Sequence, residues 1–207
     1  MKKIEVLSRI FKEKVMAIVR VETIDRAYEI VDGCLAGGIS CIEISYTNNN
    51  AGDIIHQLDK EYGNQLVIGA GTVLDSETAR LAILSGAKFI ISPAYSMEVG
   101  RLCNRYQIPY MPGCTSMTEI VEALEGGASM VKAFPISNYY GPSLVQTIKT
   151  PMPYVPVLSS GGATLENLYR WIENGVDCIG IGSLLTKGSK EEIAENAKQI
   201  RAILNTK

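Results

Sequence analysis

Residues 124–133, LEGGASMVKA, carry the pattern that decides the fold of this chain: a helical stretch that ends at glycine and an apolar strand that follows at once. Three more copies of the pattern are LAGGISCIEI (35–44), ILSGAKFIIS (83–92) and IENGVDCIGI (172–181). Glycine is common just after the end of a helix because it adopts a left-handed backbone conformation without strain. Each copy therefore predicts a helix that passes directly into a strand.

Further apolar segments lie between these copies, and a helical pattern follows each of them: MAIVR (16–20), LVIGAGT (66–72), IPYMPG (108–113) and YVPVLSS (154–160). Strands that alternate with helices are typical of a parallel sheet in an α/β fold. With about eight such units, the pattern favours a single (β/α)8 TIM barrel, in which the sheet closes on itself. The amphipathic stretch before the first strand predicts an extra N-terminal helix.

Composition limits the domain count and the class of partner. The 207 residues contain no linker or low-complexity tract, so we expect one domain spanning residues 1–207. The net charge of -2 gives no positive field that would attract nucleic acid or an anionic membrane surface. We therefore expect no nucleic acid and no membrane partner, but small molecules and further copies of the chain.

The cysteines and the N-terminal segment favour a cytoplasmic protein. The start, MKKIEVLSRIFKEK, keeps charges throughout, and no apolar stretch approaches the ~20 residues of a membrane-spanning helix. The cysteines are odd in number and far apart, so we expect them to be reduced core residues: Cys34, Cys41, Cys103, Cys114 and Cys178. His56 is the only histidine and is expected on the surface, which excludes a multi-histidine zinc site and a histidine-based triad.

The repeat places one lysine and one glutamate at the same level of the predicted barrel. In the four copies, the fifth residue after the aligned glycine is Glu43, Ile91, Lys132 or Gly180. Inward side chains of alternate strands form layers in such barrels, so Glu43 and Lys132 should face each other. Gly180 is expected to leave room above this layer for a ligand. Two alternatives remain: Lys132 could extend to water at the strand end, or the two residues could form a purely structural ion pair.

A buried lysine next to a buried glutamate supports carbonyl chemistry. Burial lowers the pKa of an amine, which makes the neutral, nucleophilic form available near pH 7. Such an amine forms a Schiff base with a ketone, and the iminium stabilises a carbanion at the adjacent carbon. A carboxyl group at the position of Glu43 would carry the proton transfers. Lys132 and Glu43 are thus the predicted catalytic residues of a metal-free aldolase.

Small residues follow the predicted strands at the end where barrel enzymes place their active sites. The third strand ends in GAGT, in which Thr72 offers a hydroxyl, but the segment does not complete a dinucleotide-binding GxGxxG. The last two strands end in SSGG (159–162) and IGS (181–183), which is typical of a phosphate site. Pro93, Phe134 and Pro135 are expected to form the wall of the pocket, although packing explains them equally well.

These segments together resemble the 2-keto-3-deoxy-6-phosphogluconate (KDPG) aldolase family, also called KDPG/4-hydroxy-2-oxoglutarate (KHG) aldolases. The resemblance runs in order along nearly the whole chain through IEIS (42–45), GAGTVL (69–74), FIISPA (89–94), IPYMPGCTS (108–116), VKAFP (131–135), SSGG (159–162) and IGS (181–183). It implies a compact barrel, a homotrimer, and reversible release of pyruvate from a phosphorylated 2-keto acid, with no metal and no organic cofactor.

The resemblance also implies roles for individual residues. Lys132 matches the Schiff-base lysine, Glu43 the general acid/base, and Thr72 a contact to the pyruvate carboxylate. The distal phosphate region is matched by Ser160, Gly161, Gly162, Gly182 and Ser183.

Two positions depart from the family pattern and leave the substrate open. Many members have an arginine where this chain has Thr47, and we expect Arg20, at the end of the first strand, to supply the missing cation. The threonine expected in the strand-seven loop, which the family associates with the choice between epimers, is Ser160 here.

We expect cleavage of KDPG to pyruvate and glyceraldehyde 3-phosphate, and a second activity that cleaves 4-hydroxy-2-oxoglutarate to pyruvate and glyoxylate. The alternatives are a 2-dehydro-3-deoxy-6-phosphogalactonate (KDPGal) aldolase, a sugar-phosphate epimerase or isomerase that needs no imine, and a catalytically inactive barrel that senses a phosphorylated metabolite.

Overall fold

The computed structural model describes residues 2–205, in which eight parallel strands close into a barrel. The strands are β1 (Val15–Val19), β2 (Cys41–Ser45), β3 (Val67–Gly71), β4 (Ile90–Ser92), β5 (Tyr110–Cys114), β6 (Val131–Ala133), β7 (Val157–Ser160) and β8 (Cys178–Ile181). Each strand pairs with the next along the chain, and β8 pairs with β1. The predicted α/β class and (β/α)8 barrel are confirmed.

Helices lie between the strands and cover the outside of the barrel. They are α1 (Lys2–Glu13), α2 (Ile24–Ala36), α3 (Ala51–Tyr62), α4 (Ser76–Leu84), α5 (Met97–Tyr106), α6 (Met117–Glu125), α7 (Ser137–Tyr140), α8 (Ser143–Lys149), α9 (Leu168–Glu173), α10 (Ser183–Thr186) and α11 (Lys190–Asn205), with a short 3-10 turn at Gly63–Gln65. Local sequence defines several of their starts, as in the reciprocal capping box of Ser116 and Glu119. The expected N-terminal helix is present as α1.

The lower part of the barrel interior is filled with large apolar side chains. They form one cluster with Ile10 of α1, which closes the end of the barrel where the strands begin: Met16, Cys41, Val67, Phe89, Ile91, Met111, Met130, Leu158 and Cys178. A larger core lies between the outer faces of the strands and the helices. Because the lower end is closed, access to the interior is from the end at which the strands finish.

One expectation about the interior is wrong. A Cβ atom at Gly180 would lie 2.7 Å from Cδ1 of Ile18, so the side chain of Ile18 fills the space beside this glycine. Gly180 therefore accommodates a neighbouring strand rather than leaving room for a ligand. Gly69 has the same role for Phe89, whose ring would lie 2.3 Å from a Cβ at that position.

The expectations for cysteine and histidine are confirmed. All five cysteines are free and buried, and His56 is exposed on α3. Within residues 2–205, no helix combines the length and the apolar character that crossing a membrane requires.

Candidate active site

Lys132 lies on β6 with its side chain inside the barrel. The side chain is only 5% exposed, and Nζ lies 4.6 Å from the ring centroid of Phe134. It forms no hydrogen bond or ion pair with any residue that the structure describes. Burial lowers the pKa of this amine, the charge of Arg20 lowers it further, and Glu43 opposes both effects. The alternative in which Lys132 extends to bulk water does not occur in the structure.

Glu43, on β2, is the buried carboxyl group of the same site. It is 1% exposed, and neither carboxylate oxygen accepts a hydrogen bond from the described part of the chain. Burial raises its pKa, while the charges of Lys132 and Arg20 lower it. The carboxyl group and the amine thus act on each other electrostatically without forming the direct ion pair that a purely structural role would require. Such unsatisfied buried groups are costly and are typical of functional sites.

Gly71 makes the position of Glu43 possible. A Cβ at Gly71, on the neighbouring strand β3, would lie 1.8 Å from Oε1 and 2.2 Å from Cδ of Glu43. Any other residue at position 71 would therefore overlap the carboxyl group. The second glycine of the GAGT segment, Gly71, is therefore required by Glu43 on the neighbouring strand.

Thr72 follows Gly71 in a left-handed backbone conformation, with φ of 60°. This conformation is unfavourable for a β-branched residue, and such strain often accompanies functional sites. Its hydroxyl lies 2.6 Å from Oγ of Ser45, which is 3% exposed on β2. The two hydroxyls form one polar pair beside Glu43. Ser45 was not among the predicted site residues, although its spacing of two residues from Glu43 places it on the same face of the strand.

Arg20 is exposed at the end of β1, and its positive charge lowers the pKa of both Lys132 and Glu43. Its side chain makes no hydrogen bond or ion pair with the residues described. Thr47 is also exposed, and it lines a separate surface cavity of about 380 Å3. Of the two residues, Arg20 is the one that acts electrostatically on the buried pair.

Two asparagines hold the segment that follows Arg20. Nδ2 of Asn48 donates to the carbonyl of Val21 at 2.6 Å, and Nδ2 of Asn50 donates to the carbonyl of Glu22 at 2.7 Å. These bonds join the loop after β2 to the loop after β1. Neither bond was predicted from the sequence, because side chain to backbone bonds between loops follow no periodic pattern.

Pro93 and Phe134 are half-buried beside the same site. A Cβ at Gly113 would lie 1.9 Å from the carbonyl oxygen of Pro93, so the chain just after β4 lies directly against β5. Phe134 presents its ring to the amine of Lys132. Pro93 and Phe134 are therefore close to the lysine or to the barrel opening, whereas Pro135, the third predicted wall residue, is exposed. Contact of these residues with substrate stays a prediction.

The predicted phosphate residues are brought together at the ends of β7 and β8. Ser160 pairs with Gly180 in the sheet, which places the turn of Gly161 and Gly162 next to Gly182 and Ser183. Gly161 and Gly162 have positive φ angles of 97° and 78°, which glycine tolerates without strain. The amides of Gly161, Gly162 and Ser183 donate to no described backbone carbonyl. These N–H groups are available to an anion.

Asn167 stabilises the glycine turn. Its Nδ2 donates to the carbonyl of Gly162 at 2.8 Å, and its Oδ1 accepts from the amide of Thr164 at 2.8 Å. These two bonds fix the conformation of the turn without using the amides of Gly161 and Gly162. Across residues 2–205, no three His, Cys, Asp or Glu side chains are grouped so that they could hold a metal ion.

The chain is similar in sequence and in fold to a family of known enzymes. The family model for KDPG and KHG aldolase matches residues 6–203. The chain is 33% identical to the 2-dehydro-3-deoxy-6-phosphogalactonate aldolase of Escherichia coli K12, over 93% of this chain and 94% of that protein. It is also 33% identical to the 2-dehydro-3-deoxy-phosphogluconate aldolase of Treponema pallidum, over 81% of this chain and 78% of that protein. A solved structure named native KDPGal superposes with a TM-score of 0.87, at 33% identity, over 93% of this chain and 94% of that one.

The contact between Gly71 and Glu43 predicts a coupled loss of stability. Gly71→Ala should destabilise the protein by about 1–3 kcal/mol, the usual cost of overpacking, which corresponds to a few degrees in Tm. The same substitution in a Glu43→Ala background should cost much less, because the overlapping carboxyl group is gone. Thermal unfolding of the four proteins measures this coupling.

Gly182→Ala is the control, because a Cβ at Gly182 has no neighbour within 4 Å. Its effect on stability should therefore be the same whether position 43 is Glu or Ala. An equal loss for Gly71→Ala in both backgrounds would show that Glu43 does not lie over Gly71.

Proposed function

This chain belongs to the KDPG and KHG aldolase family, and we propose that it is a class I aldolase that cleaves a phosphorylated 2-keto-3-deoxy sugar acid. The products would be pyruvate and glyceraldehyde 3-phosphate. The observation that carries this proposal is the amine of Lys132, which is 5% exposed, has no bonding partner among the described residues, and lies within electrostatic range of the unbonded Glu43 carboxyl group. The domain that carries the activity would span residues 1–207.

The proposed reaction begins with attack of the neutral Lys132 amine on the C2 carbonyl of the substrate. Proton transfers through Glu43 convert the carbinolamine to an iminium ion and release one water molecule. Glu43 then accepts the proton of the C4 hydroxyl, the C3–C4 bond breaks, and C4 leaves as the aldehyde. The electron pair of the broken bond moves toward the iminium nitrogen and forms an enamine.

The second half of the reaction returns the enzyme to its starting state. Protonated Glu43 delivers its proton to C3 of the enamine, which gives the iminium ion of pyruvate. Water adds to this ion, and collapse of the carbinolamine releases pyruvate and the free Lys132 amine. The raised pKa of Glu43 suits this role, because the group must hold a proton in one step and accept one in another.

The remaining residues would bind the two charged ends of the substrate. The hydroxyls of Thr72 and Ser45, 2.6 Å apart, would contact the carboxylate next to the reacting carbonyl. Arg20 would add a positive charge at that end, with Thr47 at the outer rim. The free amides near Gly161 and Ser183 would bind the phosphate. Pro93, Phe134, Ser160, Gly162 and Gly182 would complete the walls.

KDPG is the proposed substrate, and its C4 epimer KDPGal is the second candidate. The chain is 33% identical to a phosphogalactonate aldolase and 33% identical to a phosphogluconate aldolase, so sequence identity does not separate KDPGal from KDPG as the substrate. Cleavage of 4-hydroxy-2-oxoglutarate to pyruvate and glyoxylate is a further proposed activity. Side-by-side values of kcat/KM for the three compounds, with pyruvate release as the readout, decide among them.

We also propose a homotrimer in the cytoplasm. The neighbouring helices α4, α5 and α6 and the loop before α4 expose large apolar side chains, and such patches often mark protein interfaces: Leu74, Leu81, Leu84, Met97, Tyr106, Met117 and Val121. The five free cysteines support a reducing compartment. The mass of the particle in solution tests the trimer.

The imine mechanism predicts a covalent adduct at one lysine. Treatment with pyruvate and borohydride should attach a reduced pyruvyl group to Lys132 in the wild-type protein, because only an imine is reduced to a stable amine. Lys132→Met should abolish both labelling and pyruvate release while the protein stays folded, since methionine removes the cost of burying an amine. Mass spectrometry of peptides and a coupled pyruvate assay provide the two readouts.

Lys187→Met, which replaces an exposed lysine just after α10, should label and turn over like the wild type. Pyruvate release without any adduct would contradict the imine mechanism. Conversion of the sugar acid phosphate with neither adduct nor pyruvate would favour an epimerase or isomerase, and absence of any conversion by the wild type would favour an inactive, metabolite-sensing barrel.

The electrostatic role of Arg20 predicts an effect on KM. Arg20→Met should raise KM for the phosphorylated keto acid at least about tenfold, the scale of one lost hydrogen bond to a charged group. Thermal stability should change little, because the Arg20 side chain is exposed and forms no hydrogen bond or ion pair with residues 2–205. Steady-state kinetics measure the effect.

The double variant Arg20→Met, Thr47→Arg is the rescue, because it moves the cation to the position at which many members of the family have it. Unchanged kinetics of Arg20→Met would show that backbone amides and hydroxyls alone bind the anionic groups.

A further inference from the structure

The segment after β6 approaches the glycine turn after β7. Oγ of Ser137, which is fully buried, donates to the carbonyl of Ala133 at 2.5 Å and fixes the short helix α7 on the end of β6. The next residue, Asn138, is therefore presented at a defined place, six positions after Lys132 on the same segment. The mechanism described above does not use Asn138.

The carboxamide of Asn138 lies directly against the glycine turn. A Cβ at Gly161 would lie 2.3 Å from Oδ1 and 2.9 Å from Nδ2 of Asn138, and a Cβ at Gly162 would lie 3.5 Å from Oδ1. A side chain at position 161 would therefore displace Asn138. The carboxamide makes no hydrogen bond with any residue between 2 and 205 and is open to solvent. It is held next to the free amides of the turn with unused donors and acceptors.

A phosphate group at this turn would need more donors than the backbone supplies. The residues gathered there are glycine and serine, and no lysine or arginine side chain bonds to them in the described part of the chain. A phosphate dianion carries three terminal oxygens that accept several hydrogen bonds, and the Nδ2 group of asparagine supplies two N–H donors. The carboxamide can rotate to direct Nδ2 toward the anion, since the assignment of its oxygen and nitrogen is set only by what it bonds.

We propose that Asn138 is a specificity-determining residue, whose Nδ2 donates to the phosphate of the substrate and selects phosphorylated over non-phosphorylated 2-keto acids. This inference rests on the proposed aldolase function and extends it to the end of the substrate remote from the imine. Because the donor is neutral, it favours a phosphate through hydrogen bonds and leaves the electrostatics of Lys132 unchanged.

Substrate selectivity tests the role of Asn138. Asn138→Ala should lower kcat/KM for the phosphorylated substrate at least about tenfold, the scale of one hydrogen bond to a charged group, mainly through KM. Asn138→Asp, similar in size but anionic at neutral pH, should lower it more. Both variants should retain kcat/KM for 4-hydroxy-2-oxoglutarate, which has no phosphate, within about twofold. An equal loss for both substrates would show a merely structural role, and no loss for either would exclude Asn138 from the site.

Direct binding separates this inference from the proposed function. Calorimetric titration with glycerol 3-phosphate should show binding to the wild-type protein, weaker binding to Asn138→Ala and none to Asn138→Asp. If these results hold in a protein that releases no pyruvate, the aldolase proposal fails while the phosphate contact stands. Equal binding by all three proteins, or no binding by the wild type, overturns the role of Asn138 whatever the turnover.

Discussion

The site depends on one constraint: a lysine amine is held out of water inside a closed barrel, next to a carboxyl group that it does not contact directly. Removing an ammonium group from water costs several kcal/mol, and this cost lowers the pKa of Lys132. Burial also disfavours the charged form of Glu43, and this raises the pKa of its carboxyl group. The neutral amine and the proton-carrying acid that imine chemistry needs are thus both favoured by burial alone.

The two ends of the barrel differ, and both contribute to the environment of Lys132 and Glu43. Large apolar side chains and Ile10 of α1 fill the lower end, so water reaches the site only from the opposite end. Higher up, Gly71 gives space to the Glu43 carboxyl group. At the open end, Gly161 and Gly162 form a turn whose amides are free. Glycine thus gives room to a polar group at Gly71 and to apolar side chains at Gly69 and Gly180, so it serves both the site and the packing below it.

The sequence was sufficient to predict what a regular repeat determines. The four helix-to-strand junctions fix the phase of β2, β4, β6 and β8, and counting from the glycines correctly placed Glu43 and Lys132 at one level. No junction of this type precedes β1, so the inward position of Ile18 was not anticipated and the space beside Gly180 was wrongly taken as open. Contacts of loop side chains, such as Asn138 on Gly161, depend on tertiary geometry and leave no periodic signal.

The ionisation of Lys132 tests the account most directly. NMR titration of the lysine side chains should find the pKa of Lys132 below the ordinary value of 10.5, because burial disfavours the charged form. Glu43→Gln should lower it further, since the carboxylate raises it, and Arg20→Met should raise it, since the guanidinium lowers it. A pKa at or above 10.5 that neither substitution changes would contradict the claim that a buried, electrostatically coupled amine is the basis of this site.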